Sequence, residues 1–207
     1  MKSRSTVIFL VLVLLTSGIS YSQEYQAAKS TDTLFFDDFS GSSLDREKWN
    51  VVGPNFWVNN EQQVYVDSAA TIFNVINEDA KGVENALVLK ALYSPDFITY
   101  KGKDFNFISG RINTKNKVMF TYGTAAARMK LPEGSGFWPA FWALGVGKWP
   151  DTGEIDIMEY VGETDWIGVA LHGPGYFRET PLVNKYFFPE GKDATDWHVY
   201  SVDWTRI

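Results

Sequence analysis

Three carboxylates lie close together in the segment Gly-Glu-Ile-Asp-Ile-Met-Glu-Tyr, residues 153 to 160. They are Glu154, Asp156 and Glu159, and apolar side chains stand between them. Two carboxyl groups that face one cleft can cut a glycosidic bond: one attacks or stabilises the anomeric carbon, and the other protonates the leaving oxygen. A third acid between them raises at least one pKa, because crowded like charges resist ionising together. The segment therefore predicts an acid–base site suited to glycoside hydrolysis.

The same acids also fit two other interpretations. Three oxygen-bearing side chains on one face suit Ca²⁺ or Mg²⁺, and a strand can also carry charges on a solvated face. The neighbouring residues favour catalysis, because Ile155, Ile157 and Met158 require a buried opposite face. We therefore prefer a catalytic site to a metal site or a solvated strand face.

A β-strand has to position these acids. Side chains alternate along a strand, so Glu154 and Asp156 share one face. Glu159 lies five residues after Glu154, and regular alternation would send it to the opposite face. A β-bulge at Ile157–Met158 would absorb the extra residue and return Glu159 to the face of the other acids. The spacing therefore predicts a bulged strand.

Short β-type runs recur along the chain and are separated by turns rich in Gly and Pro. No long window has helical periodicity. Many short strands at this spacing are typical of a sandwich or a barrel. The last run, Val199 to Trp204, is followed by no further β-type run, although a strand that ends a domain normally needs a neighbour. We therefore expect a chain that is truncated at its C-terminus and is unstable or prone to aggregate.

The N-terminus predicts export. A positively charged start is followed by an apolar run from Val7 to Leu15 and then by small residues. This run is shorter than the roughly 20 apolar residues of a membrane-spanning helix, so we interpret residues 1–22 as a cleaved signal peptide. Residues 23–33 are then a flexible N-terminal segment, and residues 34–207 form one domain. We therefore expect a secreted protein, located either outside the cell or in the periplasm.

The composition limits the partners. The net charge is −6, and it becomes about −8 when the two positive charges of the signal segment are removed. Nucleic acid and anionic lipid surfaces are therefore disfavoured. The chain has no cysteine, so neither disulfides nor thiolate metal sites hold the fold. Aromatic residues make up 16% of the chain, which is compatible with sugar binding, because an indole ring can cover the apolar face of a pyranose.

The segment Glu-Ile-Asp-Ile-Met-Glu, residues 154–159, resembles the active-site signature of glycoside hydrolase family 16 in its bulged form. Three more segments are similar to that family and follow its order: residues 59–63, 136–145 and 171–176. Together they resemble the laminarinase-like branch of endo-acting β-1,3-glucanases. The fold implied by this resemblance is all-β, a curved β-jelly-roll sandwich of the concanavalin A-like type with an open cleft.

The resemblance also implies a role for each acid. Glu154 would be the nucleophile of a retaining double displacement, Glu159 the general acid/base, and Asp156 the carboxylate between them. Trp138 and Trp142, four residues apart on one strand, would stack on sugars on the glycone side, unless they are core residues. The remaining residues implied at the substrate are Asn60, Arg128 and His172, the last of which could equally be a structural hydrogen-bonding residue.

The implied activity is hydrolysis of internal β-1,3 or mixed-linkage β-1,3/1,4 glucosidic bonds in laminarin-type polysaccharides. The alternatives are an agarase- or carrageenase-type hydrolase and a non-catalytic β-glucan-binding protein. The intact acids argue against the binding protein, and the acidic composition argues against a sulfated substrate. We expect no required cofactor, with room for a structural Ca²⁺ near Asp38. The expected partner is a β-glucan, and the expected form is a monomer that binds no membrane after signal cleavage.

Overall fold

The computed structural model describes residues 33–76 and 85–206. The predicted signal peptide, residues 1–22, and nearly all of the predicted flexible segment 23–33 lie outside the described residues. Each regular element in the described ranges is a β-strand, so the predicted all-β class is confirmed. In the same ranges, no helix is both long and apolar enough to cross a membrane.

The strands fall into two compact units, which divide in the sequence between Val118 and Met119. The strands of the first unit are β1 (Asn50–Val51), β2 (Gln63–Tyr65), β3 (Ile72–Ile76), β4 (Asn85–Leu89), β5 (Leu92–Tyr100), β6 (Lys103–Ser109) and β7 (Ile112–Asn113). Strand β2 pairs in parallel with β6, and β6 pairs antiparallel with β5. The pairs β1–β7 and β3–β4 are antiparallel, and a core forms around Val64 and Phe105.

The second unit carries the three acids. Its strands are β8 (Gly123–Met129), β9 (Ala140–Leu144), β10 (Glu154–Glu159), β11 (Trp166–His172), β12 (Leu182–Phe187) and β13 (His198–Trp204). They form an antiparallel sheet in the order β12-β11-β10-β9 and an antiparallel ladder of β13 with β8. The final β-type run of the sequence therefore has β8 as a hydrogen-bonded neighbour.

One apolar core lies between the two sheets of this second unit. Ile157 and Met158 from β10 and Tyr200 from β13 are buried in it, with Met129 from β8 packed against them. Each large apolar side chain buried in such a core contributes about 1.5–3 kcal/mol relative to exposure. Because one face of β10 is committed to this core, its other face is left for polar side chains.

Candidate active site

Strand β10 contains a bulge at the predicted place. Asp156 lies opposite Trp142 on β9, yet Met158 lies opposite the very next β9 residue, so two β10 residues oppose one β9 residue. The pairing of β10 with β11 also shifts, between Asp156 and Glu159. The prediction of a bulge at Ile157–Met158 is therefore confirmed.

The bulge places all three acids on one face, which we call the acid face of the four-stranded sheet. Both bulge residues point into the core, with Ile157 6% and Met158 1% exposed. Because two successive side chains turn inward, Glu159 returns to the face that carries Glu154 and Asp156. The β11 residues opposite these acids are His172, Ala170 and Gly168, in that order.

Asp156 is the buried member of the trio, with only 5% of the residue exposed. Burial, followed by the negative charges of Glu154 and Glu159, raises the pKa of Asp156 to about 8. Asp156 is therefore mostly protonated at neutral pH, and its hydroxyl donates a hydrogen bond to the Glu154 carboxylate. The raised pKa that the sequence predicted for the cluster falls on its middle acid.

His172 belongs to this site. It lies opposite Glu154 in the β10–β11 ladder, and its Nε2 is 3.3 Å from Oδ2 of Asp156. Its Nδ1 is buried and has no hydrogen-bond partner within residues 33–76 and 85–206. The imidazole thus contacts Asp156 from the neighbouring strand, as expected of a residue that positions this acid.

Trp149 is a site residue that the sequence pattern did not identify. Its Nε1–H donates a hydrogen bond of 2.5 Å to Oε2 of Glu154. Its ring lies 6.0 Å from the His172 ring and 5.4 Å from the Phe177 ring. Trp149 therefore holds one oxygen of Glu154 and packs against the residue that contacts Asp156. The sequence feature that could have identified it is a tryptophan only five residues before Glu154.

Gly145 fixes the β9–β10 loop that carries Trp149. Its N–H donates to the carbonyl of Gly153 at 2.9 Å. A Cβ added at Gly145 would lie 2.0 Å from the carbonyl oxygen of Thr152, a distance that no side chain tolerates. The absence of a side chain therefore lets the loop close tightly, and the closed loop brings Trp149 to Glu154.

Glu159 also receives an indole N–H. Nε1–H of Trp138 donates to Oε1 of Glu159 at 3.0 Å, and Trp138 is 51% exposed. Trp138 does not lie in one continuous strand with Trp142, because β9 begins only at Ala140. The reason is Pro139, which has no N–H to donate to a ladder. Trp142 itself is half-buried on the acid face, opposite Asp156.

The structure does not bring Arg128 to the acids. Arg128 lies on β8, where Ala125 and Met129 pack on the core and Arg128 faces the other way. Its guanidinium lies 5.1 Å from the centre of the Trp197 ring. Because the core separates β8 from β10, Arg128 and the acid trio occupy opposite outer faces of the second unit.

Asn60 belongs to the first unit. It is exposed in the turn before β2, where both Asn59 and Asn60 have positive φ angles, of 56° and 54°. Asparagine tolerates this left-handed conformation better than most residues do. The role of Asn60 at the substrate stays a prediction.

The described residues lack a cluster of metal-binding side chains. Within residues 33–76 and 85–206, no group of three or more His, Asp or Glu side chains has the arrangement of a metal site. Oδ1 of Asp38, near the implied Ca²⁺ position, accepts the backbone N–H of Ser40 at 3.0 Å. A structural Ca²⁺ near Asp38 stays a prediction.

An all-β unit with three carboxylates on a bulged strand and tryptophans beside them defines a carbohydrate-active enzyme fold. The family model described as glycosyl hydrolases family 16 matches residues 55–207, most of the chain. The chain belongs to this family, as the sequence motifs predicted.

Known relatives agree with this assignment. The chain is 34% identical over 208 residues to a β-glucanase of Rhodothermus marinus, covering 95% of this chain and 68% of the relative. It matches the solved endo-β-1,3-glucanase from Pyrococcus furiosus with a TM-score of 0.67 and 34% identity, covering 81% of this chain and 65% of that one. It matches the laminarinase catalytic domain from Thermotoga maritima with a TM-score of 0.69 and 32% identity, covering 82% of this chain and 68% of that one. The β-jelly-roll class is confirmed, and the chain spans about two thirds of each relative, 65% to 68%.

Proposed function

We propose that this chain is a retaining endo-glycosidase that hydrolyses internal β-1,3 or mixed-linkage β-1,3/1,4 bonds of glucans. The observation that carries the proposal is the bulge in β10, which sets Glu154, Asp156 and Glu159 on one face. Each of the two outer acids accepts an indole N–H that fixes one of its oxygens. The names of the relatives, β-glucanase, endo-β-1,3-glucanase and laminarinase, support the substrate class.

In the first step, the Glu154 carboxylate attacks the anomeric carbon while Glu159 gives its proton to the glycosidic oxygen. The bond to the leaving sugar breaks, and a glycosyl ester forms on Glu154. The N–H of Trp149 holds Oε2 of Glu154, so the nucleophile is fixed in place while the ester forms. The N–H of Trp138 similarly holds Oε1 of Glu159, which leaves Oε2 to carry the proton.

In the second step, Glu159 acts as a base. Its carboxylate takes a proton from a water molecule, and the resulting oxygen attacks the anomeric carbon. The ester bond breaks, Glu154 leaves as a carboxylate, and Glu159 is again protonated. Two inversions at one carbon retain the β configuration of the product.

Protonated Asp156 assists the nucleophile beside it. If all three acids were ionised, three negative charges would be crowded into one partly buried site. A neutral Asp156 removes one of these charges and donates a hydrogen bond to Glu154. Asp156 therefore orients Glu154 through this hydrogen bond, and His172 contacts the same Asp156 carboxyl group.

Asp156→Asn is expected to stabilise the protein at pH 8. The folded-state pKa of Asp156 is about 8, against an unfolded value of about 3.9. Between these values the folded state keeps a proton that the unfolded state releases, so wild-type stability falls as pH rises through this window. Asparagine does not titrate, so the melting temperature of the variant should exceed that of wild type by roughly 10 °C or more at pH 8 and match it near pH 4.

The measurement is thermal unfolding by circular dichroism at pH 4, 6 and 8. Asp196→Asn is the matched control, because the Asp196 side chain is 51% exposed and its removal should not create such a pH trend. A difference between Asp156→Asn and wild type that stays constant from pH 4 to 8 would contradict the raised pKa.

One assay tests the proposed function. Reducing sugars are measured after incubation of the 207-residue chain with laminarin, lichenan and agarose. We expect hydrolysis of laminarin or lichenan, with oligosaccharides of several lengths appearing early, because an endo-acting enzyme cuts at internal bonds. If reducing sugar is released from agarose alone, the glucan substrate is wrong and the chain is an agarase-type hydrolase. Binding to laminarin without hydrolysis would indicate a glucan-binding protein.

A further inference from the structure

The acid face extends past the acids to the edge strand β12. Gly168 on β11 lies opposite Glu159 on one side and opposite Lys185 on the other, so Lys185 stands in the same row as the acid. Trp166, two residues before Gly168, lies opposite Phe187. Cross-strand partners share a face, and so do residues two apart on one strand. Trp166, Lys185 and Phe187 therefore lie on the acid face.

Gly168 leaves a gap between the acid and these residues. A Cβ added at Gly168 would meet Cζ3 of Trp166 at 3.7 Å and Cβ of Glu159 at 3.9 Å. A methyl group would thus fit at ordinary contact distances and would lie between Glu159 and Trp166. With glycine there, the sheet surface next to the acid stays open toward Trp166.

Trp166 and Lys185 form a fixed pair at the far side of this gap. The Lys185 ammonium lies 3.4 Å from the centre of the Trp166 ring, a cation–π contact. Nε1–H of Trp166 donates to Oε2 of Glu163 at 2.6 Å, which holds the ring from its edge. Lys185 is exposed, and no ion pair in the described ranges includes it. Its ammonium can therefore donate to an incoming oxygen.

Phe187 adds an aromatic surface beside this pair. It lies opposite Trp166 on the acid face and is 61% exposed. The core is packed by the other face of β11, through Ile167 and Val169, so Phe187 is not needed there. These features suit a pyranose. An exposed aromatic ring can cover the apolar C–H face of the sugar, and a cation can bind its hydroxyl groups.

We propose that Trp166, Lys185 and Phe187 form a sugar-binding subsite on the leaving-group side of Glu159. This inference rests on the proposed function. The pyranose of a β-glucan chain would cover the Phe187 ring, and its hydroxyl oxygens would accept hydrogen bonds from Lys185. Trp142 lies on the β9 side of β10, and the new subsite lies on the β11–β12 side. A glucan chain that crosses the sheet is therefore bound on both sides of the bond that breaks.

Two variants test the subsite, Lys185→Met and Phe187→Ala. Each is assayed with laminarihexaose, whose leaving portion reaches β12, and with an aryl β-laminaribioside, whose leaving group ends at the acid. We expect kcat/KM for the hexasaccharide to fall about tenfold in each variant, mainly through KM, and the aryl glycoside to change by less than about twofold. Tyr186→Ala is the matched control, because Tyr186 is 54% exposed on the same strand but on its other face.

The outcomes separate the subsite from the proposed function. An equal loss on both substrates, or no loss on either, overturns the subsite. If the wild-type chain cleaves neither substrate, the proposed function fails, and calorimetric binding of laminarihexaose then decides the subsite. Binding that weakens about tenfold in Lys185→Met retains the subsite, whereas unchanged or absent wild-type binding overturns it. Thermal unfolding of each variant verifies that the comparison is made between folded proteins.

Discussion

Glu154→Gln is expected to lower kcat for laminarin by roughly 10⁴-fold, because an amide cannot form the glycosyl ester at a useful rate. The amide oxygen can still accept the N–H of Trp149, which reaches Glu154 at 2.5 Å in the wild type. The fold and the glucan affinity should therefore survive. Reducing-sugar release gives the rate, and isothermal titration calorimetry with laminarihexaose gives the affinity.

A matched control is available in Glu190→Gln, because Glu190 is exposed in the β12–β13 connection, outside the strands of the acid face. It should hydrolyse laminarin at the wild-type rate. Unchanged hydrolysis by Glu154→Gln would contradict the assignment of the nucleophile. Loss of both affinity and the cooperative thermal transition would instead show that Glu154 is needed for folding.

Glu159→Ala is expected to lower the rate of laminarin hydrolysis by about 10³-fold, the loss typical of a missing general acid. An aryl glycoside with a good leaving group needs little proton donation, so its ester should still form. Azide should then rescue turnover, because it attacks the ester without needing a base. The product should be the β-glycosyl azide, which retains the configuration, and NMR identifies it.

The same rescue distinguishes Glu159 from Glu154. In Glu154→Ala no ester forms, and azide that takes the place of the nucleophile should give the α-glycosyl azide. An equal loss on laminarin and on the aryl glycoside in Glu159→Ala, without rescue by azide, would contradict its role as acid/base. The alanine variant also frees the N–H of Trp138, which donates to Glu159 at 3.0 Å, so thermal unfolding should be checked alongside.

The bulge was predictable from the sequence because strand periodicity is fixed by covalent geometry. Side chains alternate with a period of two. Glu154 and Glu159 are five residues apart, so they can share a face only if the strand contains one extra residue between them. Ile157 and Met158 were the apolar pair able to turn inward together, and both are buried. The face on which each acid lies therefore follows from the alternation of side chains along the strand, without any tertiary contact.

Other parts of the site depend on contacts that no local rule contains. Trp149 reaches Glu154 only because the loop closes where Gly145 approaches Thr152. The sequence could not predict which face of β8 carries Arg128. Residues 125–127 are all alanine, so they do not distinguish a buried face from an exposed one. The row that joins Glu159 to Lys185 follows from the register of three strands, and register is set by tertiary pairing.

Trapping of the covalent intermediate tests the central claim most directly, namely that the bulged strand presents Glu154 as the nucleophile. A 2-deoxy-2-fluoro-β-laminaribiosyl fluoride slows both steps, but its good leaving group lets the ester form and accumulate. Mass spectrometry of the digested protein should then find one laminaribiosyl adduct, on the peptide containing Glu154, with fragmentation placing it on that residue. An adduct on Asp156 or Glu159, or steady turnover that releases the α-anomer first, would contradict the account.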